Sequence, residues 1–269
     1  SFGQPGYDVE YVNVLRDFDR HFRSNGWTGT IPEFFFNHKK RYRFFEWDGD
    51  EPRYPRDNVR FKYYRTLLDA ATAGSPVPWR FRIDASWMQR EHWTDLAGIT
   101  DFWVNGGFVS MFEKEVHAEP MSRDDVVWTY SGGAALADPS SHIAQLVYRT
   151  WIRDFHGNVN WLTVSPGPDP WFDNAGAREC MIYPGERFGI AGPIPCARLK
   201  VQRNAIQDVN LLDNAARRLG KDRVKADLVP TIPIELWYAP PEGVRKLPPH
   251  EWTAKVLRRP VEPNEARLK

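Results

Sequence analysis

Two adjacent carboxylates, Asp50 and Glu51, stand in the turn Trp47-Asp48-Gly49-Asp50-Glu51-Pro52, shortly after the very apolar segment 31–37. Neighbouring acids on a loop that follows a buried strand are suited to act as a general acid and its helper. Asp48 is interpreted as a turn residue. Because Asp-Glu pairs are also common on solvated turns, the rest of the sequence has to decide between a catalytic and a solvated pair.

The charge balance excludes two classes of partner. The 269 residues include 36 Lys and Arg against 35 Asp and Glu, a net charge of +1. This composition gives no electrostatic reason to expect nucleic acid or an anionic membrane as a partner. No apolar run is long enough to span a bilayer. The seven His residues lack metal-ligand spacing, so neither a metal nor another cofactor is predicted.

Aromatic residues are unusually frequent in this chain. Its 12 Trp residues are about three to four times the number expected for an ordinary protein of this length. Indole rings fill cores, and at loop tips they also stack on the apolar faces of sugar rings. The composition therefore introduces carbohydrate binding as a hypothesis.

The apolar pattern predicts alternating strands and helices. Helical spacing predicts helices over residues 7–24, 58–73, 140–155 and 203–219, with a short helical stretch around 92–96. Short apolar runs predict strands over residues 33–37, 79–83, 101–104, 126–130 and 159–164. This alternation indicates parallel β/α units, and the continuously apolar strands indicate a sheet that is covered on both faces.

The predicted fold class is α/β, with the architecture of a (β/α)8 barrel. Polar residues such as Asn37, Asp84 and Tyr130 follow the strands at their carboxyl ends, where such barrels place their active sites. About five strands are evident where a closed barrel needs eight. The remaining strands would come from a second polypeptide, an oligomeric partner or an unusual topology. We expect residues 1–220 to be the C-terminal portion of the barrel domain, and residues 221–269 to form a strand and a surface-wrapping tail.

The first and last residues of the chain give an expectation about processing. The sequence starts at Ser1 without Met or a signal-like segment, which indicates a processed form or a fragment. A processed form would favour a secreted or periplasmic location. The two cysteines, Cys180 and Cys196, permit one disulfide bridge or two free thiols.

Several segments resemble the C-terminal part of a glycoside-hydrolase-like family that contains the domain of unknown function 4091 and is related to glycoside hydrolase family 123. The segments occur in the order of the family and span about residues 30–219. They are Phe36-Asn37-His38-Lys39, Asp50-Glu51-Pro52, Phe81-Arg82-Ile83-Asp84-Ala85-Ser86, residues 158–161 followed by Asp169-Pro170-Trp171, Tyr183-Pro184-Gly185, and Gly192-Pro193-Ile194-Pro195 leading to Arg198-Leu199-Lys200 and Gln207-Asp208.

The resemblance implies a (β/α)8 barrel that hydrolyses glycosidic bonds, with Asp50 and Glu51 as the paired acids. The implied reaction on a hexosaminide is retaining and substrate-assisted. The 2-acetamido oxygen of the sugar attacks the anomeric carbon, Glu51 protonates the leaving oxygen, and Asp50 orients the acetamido group. A covalent retaining enzyme would instead need a second carboxylate about 5 Å away. An ionised Asp50 is also expected to raise the pKa of Glu51.

This sequence departs from the family at two places. The loop before the acids is basic, with Lys39, Lys40, Arg41 and Arg43, and would either contact an anionic or sulfated glycan or form a solvated face, which we favour. The family's Ser-Arg-Pro is replaced by Ser86-Trp87-Met88, which would reshape the sugar pocket.

The candidate substrate-binding residues lie at strand ends and on loops. Asp84 is a ligand for sugar hydroxyls or an alternative covalent nucleophile, and the phenol of Tyr130 could bind the acetamido group. The complete candidate set is Asn37, Lys39, Asp84, Trp87, Tyr130, Trp161 and Trp171. The alternative to a hydrolase is a catalytically silent carbohydrate-binding or assembly subunit, in which the acids are solvated.

Overall fold

The computed structural model describes residues 3–40, 45–52, 55–85, 94–106, 120, 123–132, 141–165, 167, 169–172 and 180–228. These residues have an α/β fold and belong to two compact units, one within Ser1–Val126 and one within Val127–Tyr238. No helix among them is both long enough and apolar enough to cross a membrane.

The described residues of the first unit form three parallel strands and two long helices. In chain order its elements are α1 (Tyr7–Ser24), β1 (Glu33–Phe34), a 3₁₀ turn (Pro55–Asp57), α2 (Asn58–Thr72), β2 (Arg80–Asp84) and β3 (Phe102–Gly106). Strand β2 lies between β1 and β3 and is parallel to both. Because all three strands run in one direction, their carboxyl ends lie at the same edge. Helices α1 and α2 pack against each other.

Six aromatic side chains form the centre of this unit. This aromatic cluster consists of Phe34, Phe36, Trp47, Phe61, Tyr64 and Phe81. Ring centroids lie 4.6 Å apart for Phe36 and Tyr64 and 5.1 Å apart for Trp47 and Phe61. Each such pair contributes about 0.5–1.5 kcal/mol beyond the burial of its surface. The cluster therefore joins β1, β2 and α2 to the loop that carries the acids.

In the second unit, the residues that the structure describes form two parallel strands, a two-stranded antiparallel hairpin and three helices. Its elements are β4 (Val126–Gly132), α3 (Ser141–Ile152), β5 (Gly157–Trp161), β6 (Ile182–Pro184), a 3₁₀ turn (Glu186–Phe188), β7 (Pro193–Pro195), α4 (Ala197–Leu219) and α5 (Lys221–Leu228). Strands β4 and β5 are parallel, whereas β6 and β7 are antiparallel. Helices α3 and α4 pack together, and the indole of Trp151 donates a hydrogen bond to Asp213 at 2.9 Å. Cys180 and Cys196 are free thiols.

The predicted α/β class is confirmed, and all five predicted strands are present. A closed barrel of eight strands is not seen in the described residues and stays a prediction. Helix α4 begins six residues earlier than the predicted 203–219, because the apolar pattern is weak in its first turns. The β6–β7 hairpin and helix α5 are not predicted from sequence. The strands of the hairpin contain Pro, which argues against a strand, and charged residues dominate α5.

The predicted domain boundary at residue 220 also stays a prediction. The sequence places a strand and a tail after this point, whereas residues Lys221–Leu228 form a helix. Its residues Lys221 and Lys225 both pair with Asp154, just beyond α3. The predicted strand and tail from residue 229 onward lie outside the described residues.

A single carboxylate, Asp101, links the strands of the first unit to α2. One of its oxygens accepts the backbone N–H of Phe81 at 2.6 Å, and the other accepts a guanidinium N–H of Arg65 at 2.8 Å. Phe81 is fully buried, so its N–H has no access to water. Asp69 pairs with the same Arg65 from an exposed position on α2.

We expect Asp101→Ala to lower the free energy of unfolding by about 2–3 kcal/mol, because it leaves a buried N–H unsatisfied. The matched control Asp69→Ala removes an exposed pair of the same arginine and should cost less than about 1 kcal/mol. Urea unfolding of the two variants measures the difference. Equal losses would show that Asp101 acts only as a surface ion pair.

Candidate active site

The loop that carries the acids, residues 47–52, folds back onto the segment that leaves β1. The backbone N–H groups of Gly49 and Asp50 both donate to the carbonyl of His38, at 3.1 and 2.9 Å. The backbone N–H of Lys40 donates to the Asp48 carboxylate at 2.8 Å. We call residues 47–52 the acid loop. These three hydrogen bonds fix it against the carboxyl end of the first strand.

Gly49 allows this close approach. A Cβ atom on Gly49 would lie 2.5 Å from the Cβ of Phe36 and 2.6 Å from the Cε1 of His38. Non-bonded carbon atoms do not approach each other this closely, so any larger residue at position 49 would push the acid loop away from the strand. Two residues earlier, the buried ring of Trp47 packs edge-on against His38, with centroids 4.7 Å apart. The acid loop is therefore held by an aromatic anchor and a glycine contact.

The two acids share one cation. The ammonium of Lys39 lies 3.2 Å from an Asp50 oxygen and also contacts an oxygen of Glu51. The three side chains are only 12–15% exposed. Glu51 has a φ of 52°, in the left-handed region that residues other than glycine rarely adopt. Backbone strain of this kind costs on the order of 1 kcal/mol or more and is often found at functional sites.

Burial raises the pKa of Asp50 to about 6. This value already includes the Lys39 ammonium, which opposes the rise, and the negative charges of Glu51 and Asp84, which add to it. The charge of Glu51 is one of the causes that raise the pKa of Asp50, and the predicted rise in the pKa of Glu51 stays a prediction. One carboxyl group of the pair therefore has a perturbed pKa, which is common at active sites.

Asp84 adds a third carboxylate at the end of β2. Arg82 holds both of its oxygens, with nitrogen–oxygen distances of 2.8 and 3.1 Å. The same guanidinium donates to Glu33 at 2.6 Å and lies 4.5 Å from the centroid of the Phe35 ring. Burial raises the pKa of Asp84 and Arg82 opposes the shift, while the charge of Glu51 adds to it. Asp50, Glu51 and Asp84 therefore form one electrostatic group.

Arg82 and Glu33 are site residues that the sequence does not single out. The signal in the sequence that could have found them is the two-residue spacing of side chains along a strand. Side chains two apart on a strand lie on the same face, so Arg82 and Asp84 must share a face of β2. Strand β1 is parallel to β2, with Glu33 opposite Arg80. The carboxylate of Glu33 can therefore reach the guanidinium of Arg82.

The remaining candidates stay predictions. Asn37 is exposed, on the segment between β1 and Lys39. In the second unit, Tyr130 lies on β4 opposite Val159, and Trp161 is half exposed at the end of β5. Trp171 stacks on Tyr183 with centroids 4.5 Å apart, and its indole N–H donates to the Pro184 carbonyl. Trp87 lies outside the described residues.

Within the part of the chain that the structure describes, no group of three or more His, Cys, Asp or Glu side chains could hold a metal ion. Lys39 contacts Asp50 and Glu51 of the acid loop instead, and Arg82 contacts Asp84 at the end of β2. The predicted lack of a cofactor remains a prediction.

The first unit thus defines an α/β protein with acidic residues at the carboxyl ends of parallel strands. Comparison with solved structures finds a family 123 glycoside hydrolase from Clostridium perfringens, which has been studied for glycolipid glycan hydrolysis. The two chains are 13% identical, with a TM-score of 0.55, over 84% of this chain and 38% of that one. At this identity the likeness concerns the fold, and this chain spans well under half the length of its neighbour.

Comparisons at the level of sequence give no further assignment. No protein-family model matches the chain, so the resemblance to the family with the domain of unknown function 4091 is not established by a family model. No curated protein matches it either. The relation to glycoside hydrolase family 123 is supported at the level of fold alone.

We expect Gly49→Ala to displace the acid loop, because its new methyl group would overlap Phe36 and His38. The predicted cost is about 1–3 kcal/mol of stability. Gly29→Ala is the matched control, since a Cβ at Gly29 meets nothing within 4 Å. Thermal unfolding of both variants measures the effect, and equal melting temperatures would contradict the close approach.

We expect Asp50→Asn to stabilise the protein at neutral pH. The pKa of Asp50 is raised from 3.8 to about 6 on folding, so the folded state binds this proton more tightly than the unfolded state. Stability is therefore lost as the pH rises from about 4 to above 6. The uncharged Asn escapes this loss and should gain about 1–2 kcal/mol at pH 7.5.

Unfolding by urea at pH 3.5 and at pH 7.5 measures this gain. The advantage of Asp50→Asn over the natural sequence should be present at pH 7.5 and absent at pH 3.5. Glu46→Gln is the control, because the side chain of Glu46 is 89% exposed. A gain that is independent of pH would show that burial of the Asp50 charge is not its cause.

Proposed function

We propose that this chain carries the catalytic acids of a glycoside hydrolase that acts on a hexosaminide by a substrate-assisted, retaining mechanism. Glu51 is the general acid, and Asp50 orients the 2-acetamido group of the sugar. The observation that carries the proposal is the shielded Asp50–Glu51 pair, fixed at the carboxyl end of β1 beside Asp84 at the end of β2. The fold likeness to a family 123 glycoside hydrolase supports it.

The first step of the proposed reaction breaks the glycosidic bond. Glu51 transfers its proton to the leaving oxygen as the bond from that oxygen to the anomeric carbon breaks. The carbonyl oxygen of the acetamido group bonds to the anomeric carbon and forms a cyclic oxazolinium ion. The ionised Asp50 accepts the acetamido N–H and stabilises the positive charge that develops on this group.

The second step restores the acetamido group. Water attacks the anomeric carbon on the face left by the departed group, the bond to the acetamido oxygen breaks, and the Glu51 carboxylate accepts the water proton. Adjacent acids suit this route because the nucleophile belongs to the substrate. No carboxylate is then needed on the opposite face of the sugar.

The charges at the site favour an uncharged sugar. Asp50, Glu51 and Asp84 are all negative when ionised, while Lys39 and Arg82 are already engaged by carboxylates. A sulfate or carboxylate on the sugar would be repelled by the acids and would find Lys39 occupied. This argues against an anionic glycan as the ligand of Lys39. Arg41 and Arg43 lie outside the described residues.

The alternative covalent mechanism would use Asp84 as the nucleophile. Arg82 donates to both oxygens of Asp84 and fixes the plane of the carboxylate. This geometry suits an acceptor for sugar hydroxyls, and it lowers the electron density available for attack. We therefore assign Asp84 to substrate binding.

We expect Glu51→Gln to reduce turnover by about 10²–10⁴-fold on substrates with poor leaving groups, because the proton donor is lost. The loss should be smaller on a nitrophenyl N-acetylhexosaminide, whose leaving group needs little protonation. Asp50→Asn should be impaired on both kinds of substrate, since it affects attack by the acetamido group. Steady-state kinetics on an aryl series measures this contrast, with Glu46→Gln as the exposed control.

Other results would contradict the proposal. Full activity in Glu51→Gln would remove Glu51 from the mechanism, and trapping of Asp84 by a fluorosugar would favour the covalent route. Sugar binding that is unaffected by changes at Asp50 and Glu51, without turnover of any glycan, would favour a catalytically silent carbohydrate-binding subunit.

A further inference from the structure

Lys39 occupies a position that the backbone determines. The residues on either side of it are bonded to the acid loop, His38 through its carbonyl and Lys40 through its N–H. The backbone at residue 39 therefore cannot move independently of Asp50 and Glu51. Its side chain is 13% exposed and ends between the two carboxylates.

Lys39 supplies a positive charge that contacts both acids. The charge of Asp50 interacts with the charges of Lys39, Glu51 and Asp84. The charge of Asp84 interacts with the charges of Arg82, Glu51 and Glu33. Arg82 is divided between Asp84 and Glu33, so its charge is already matched by two carboxylates. Removal of Lys39 would take a positive charge away from two adjacent carboxylates that repel each other in a poorly solvated site.

We propose that Lys39 is a positioning residue that keeps Asp50 ionised and holds the two adjacent carboxylates in a fixed arrangement. This inference rests on the proposed function, and it differs from the predicted role of Lys39 as a contact to the sugar. A lysine suits the task because its compact ammonium can approach oxygens from two side chains at once. Lys39 acts through Asp50 and Glu51 and does not itself take part in the transfer of the proton.

The role has a direct consequence for the pH dependence of the reaction. Ionised Asp50 is needed to orient the acetamido group, so kcat/KM should fall below about pH 6, the value to which burial raises the pKa of Asp50. Lys39 opposes this rise. Without its charge the pKa of Asp50 should increase further, and the acid limb of the pH profile should move to higher pH.

We expect Lys39→Met to move the acid limb of kcat/KM upward by about 1–2 pH units, with a larger effect on kcat than on KM. Lys39→Arg keeps the charge and should leave the acid limb close to its position in the natural protein. Lys40→Met is the matched control. It removes the neighbouring lysine side chain, whereas the contact of Lys40 with the acid loop is made by its backbone N–H. A higher KM with an unmoved acid limb would overturn the proposal and make Lys39 a sugar contact.

A second measurement does not depend on turnover. Urea unfolding at pH 7.5 of Lys39→Met, Asp50→Asn and the double variant forms a double-mutant cycle. If Lys39 stabilises the charge of Asp50, Lys39→Met should cost much less stability when Asp50 is already Asn. Additive effects would overturn the inference. A chain that hydrolyses no glycan but shows this coupling would refute the proposed function and leave the Lys39–Asp50 interaction standing.

Discussion

The arrangement of the acids depends on one close backbone contact, between Gly49 and the segment that leaves the first strand. The His38 carbonyl accepts two consecutive N–H groups of the acid loop, and a Cβ on Gly49 could not fit against Phe36 and His38. The buried Trp47 adds packing against Phe61. The hydrogen bonds set the direction of the acid loop. The aromatic contact supplies burial energy that offsets the cost of removing the charged side chains of the loop from water.

This cost is considerable because the loop brings charge out of water. Asp50, Glu51 and Asp84 are all shielded from solvent, and burial raises the pKa values of Asp50 and Asp84. Such a cluster is tolerated only if cations accompany it and other parts of the fold supply the stability. Lys39 and Arg82 provide the cations, and the aromatic cluster provides the packing. The same burial that weakens the fold raises the pKa of Asp50 to about 6, and the Lys39 ammonium opposes this rise.

Much of the fold follows from the sequence because each element has a strong local signal. Helix α1 is predicted at its observed bounds, since its apolar residues recur at helical spacing and Asn25-Gly26 ends it. The short apolar runs give the five strands. Helix α5 is missed because charged residues dominate its sequence, and the β6–β7 hairpin is missed because its short strands contain Pro. Helix α5 also has contacts outside itself: Lys221 and Lys225 both pair with Asp154, and no local pattern predicts an ion pair with a residue so far along the chain.

The sequence predicts some members of the candidate site, but not Arg82 or Glu33 and not the contacts between the members. Asp50, Glu51, Lys39 and Asp84 can be selected from sequence because they follow predicted strands. The role of Lys39 depends on a distance of 3.2 Å to Asp50, which only the folded loop determines. The raised pKa of Asp50 likewise depends on burial and on Asp84 from a different strand.

The two adjacent acids leave the acid loop from different backbone conformations. Asp50 follows Gly49, and its backbone N–H holds the loop on His38. Glu51 turns into the left-handed region one residue later. The two carboxylates still converge on the ammonium of Lys39, and the charges of both interact with Asp84. Because the two acids share a cation and a neighbouring carboxylate, the protonation of one depends on the charge of the other.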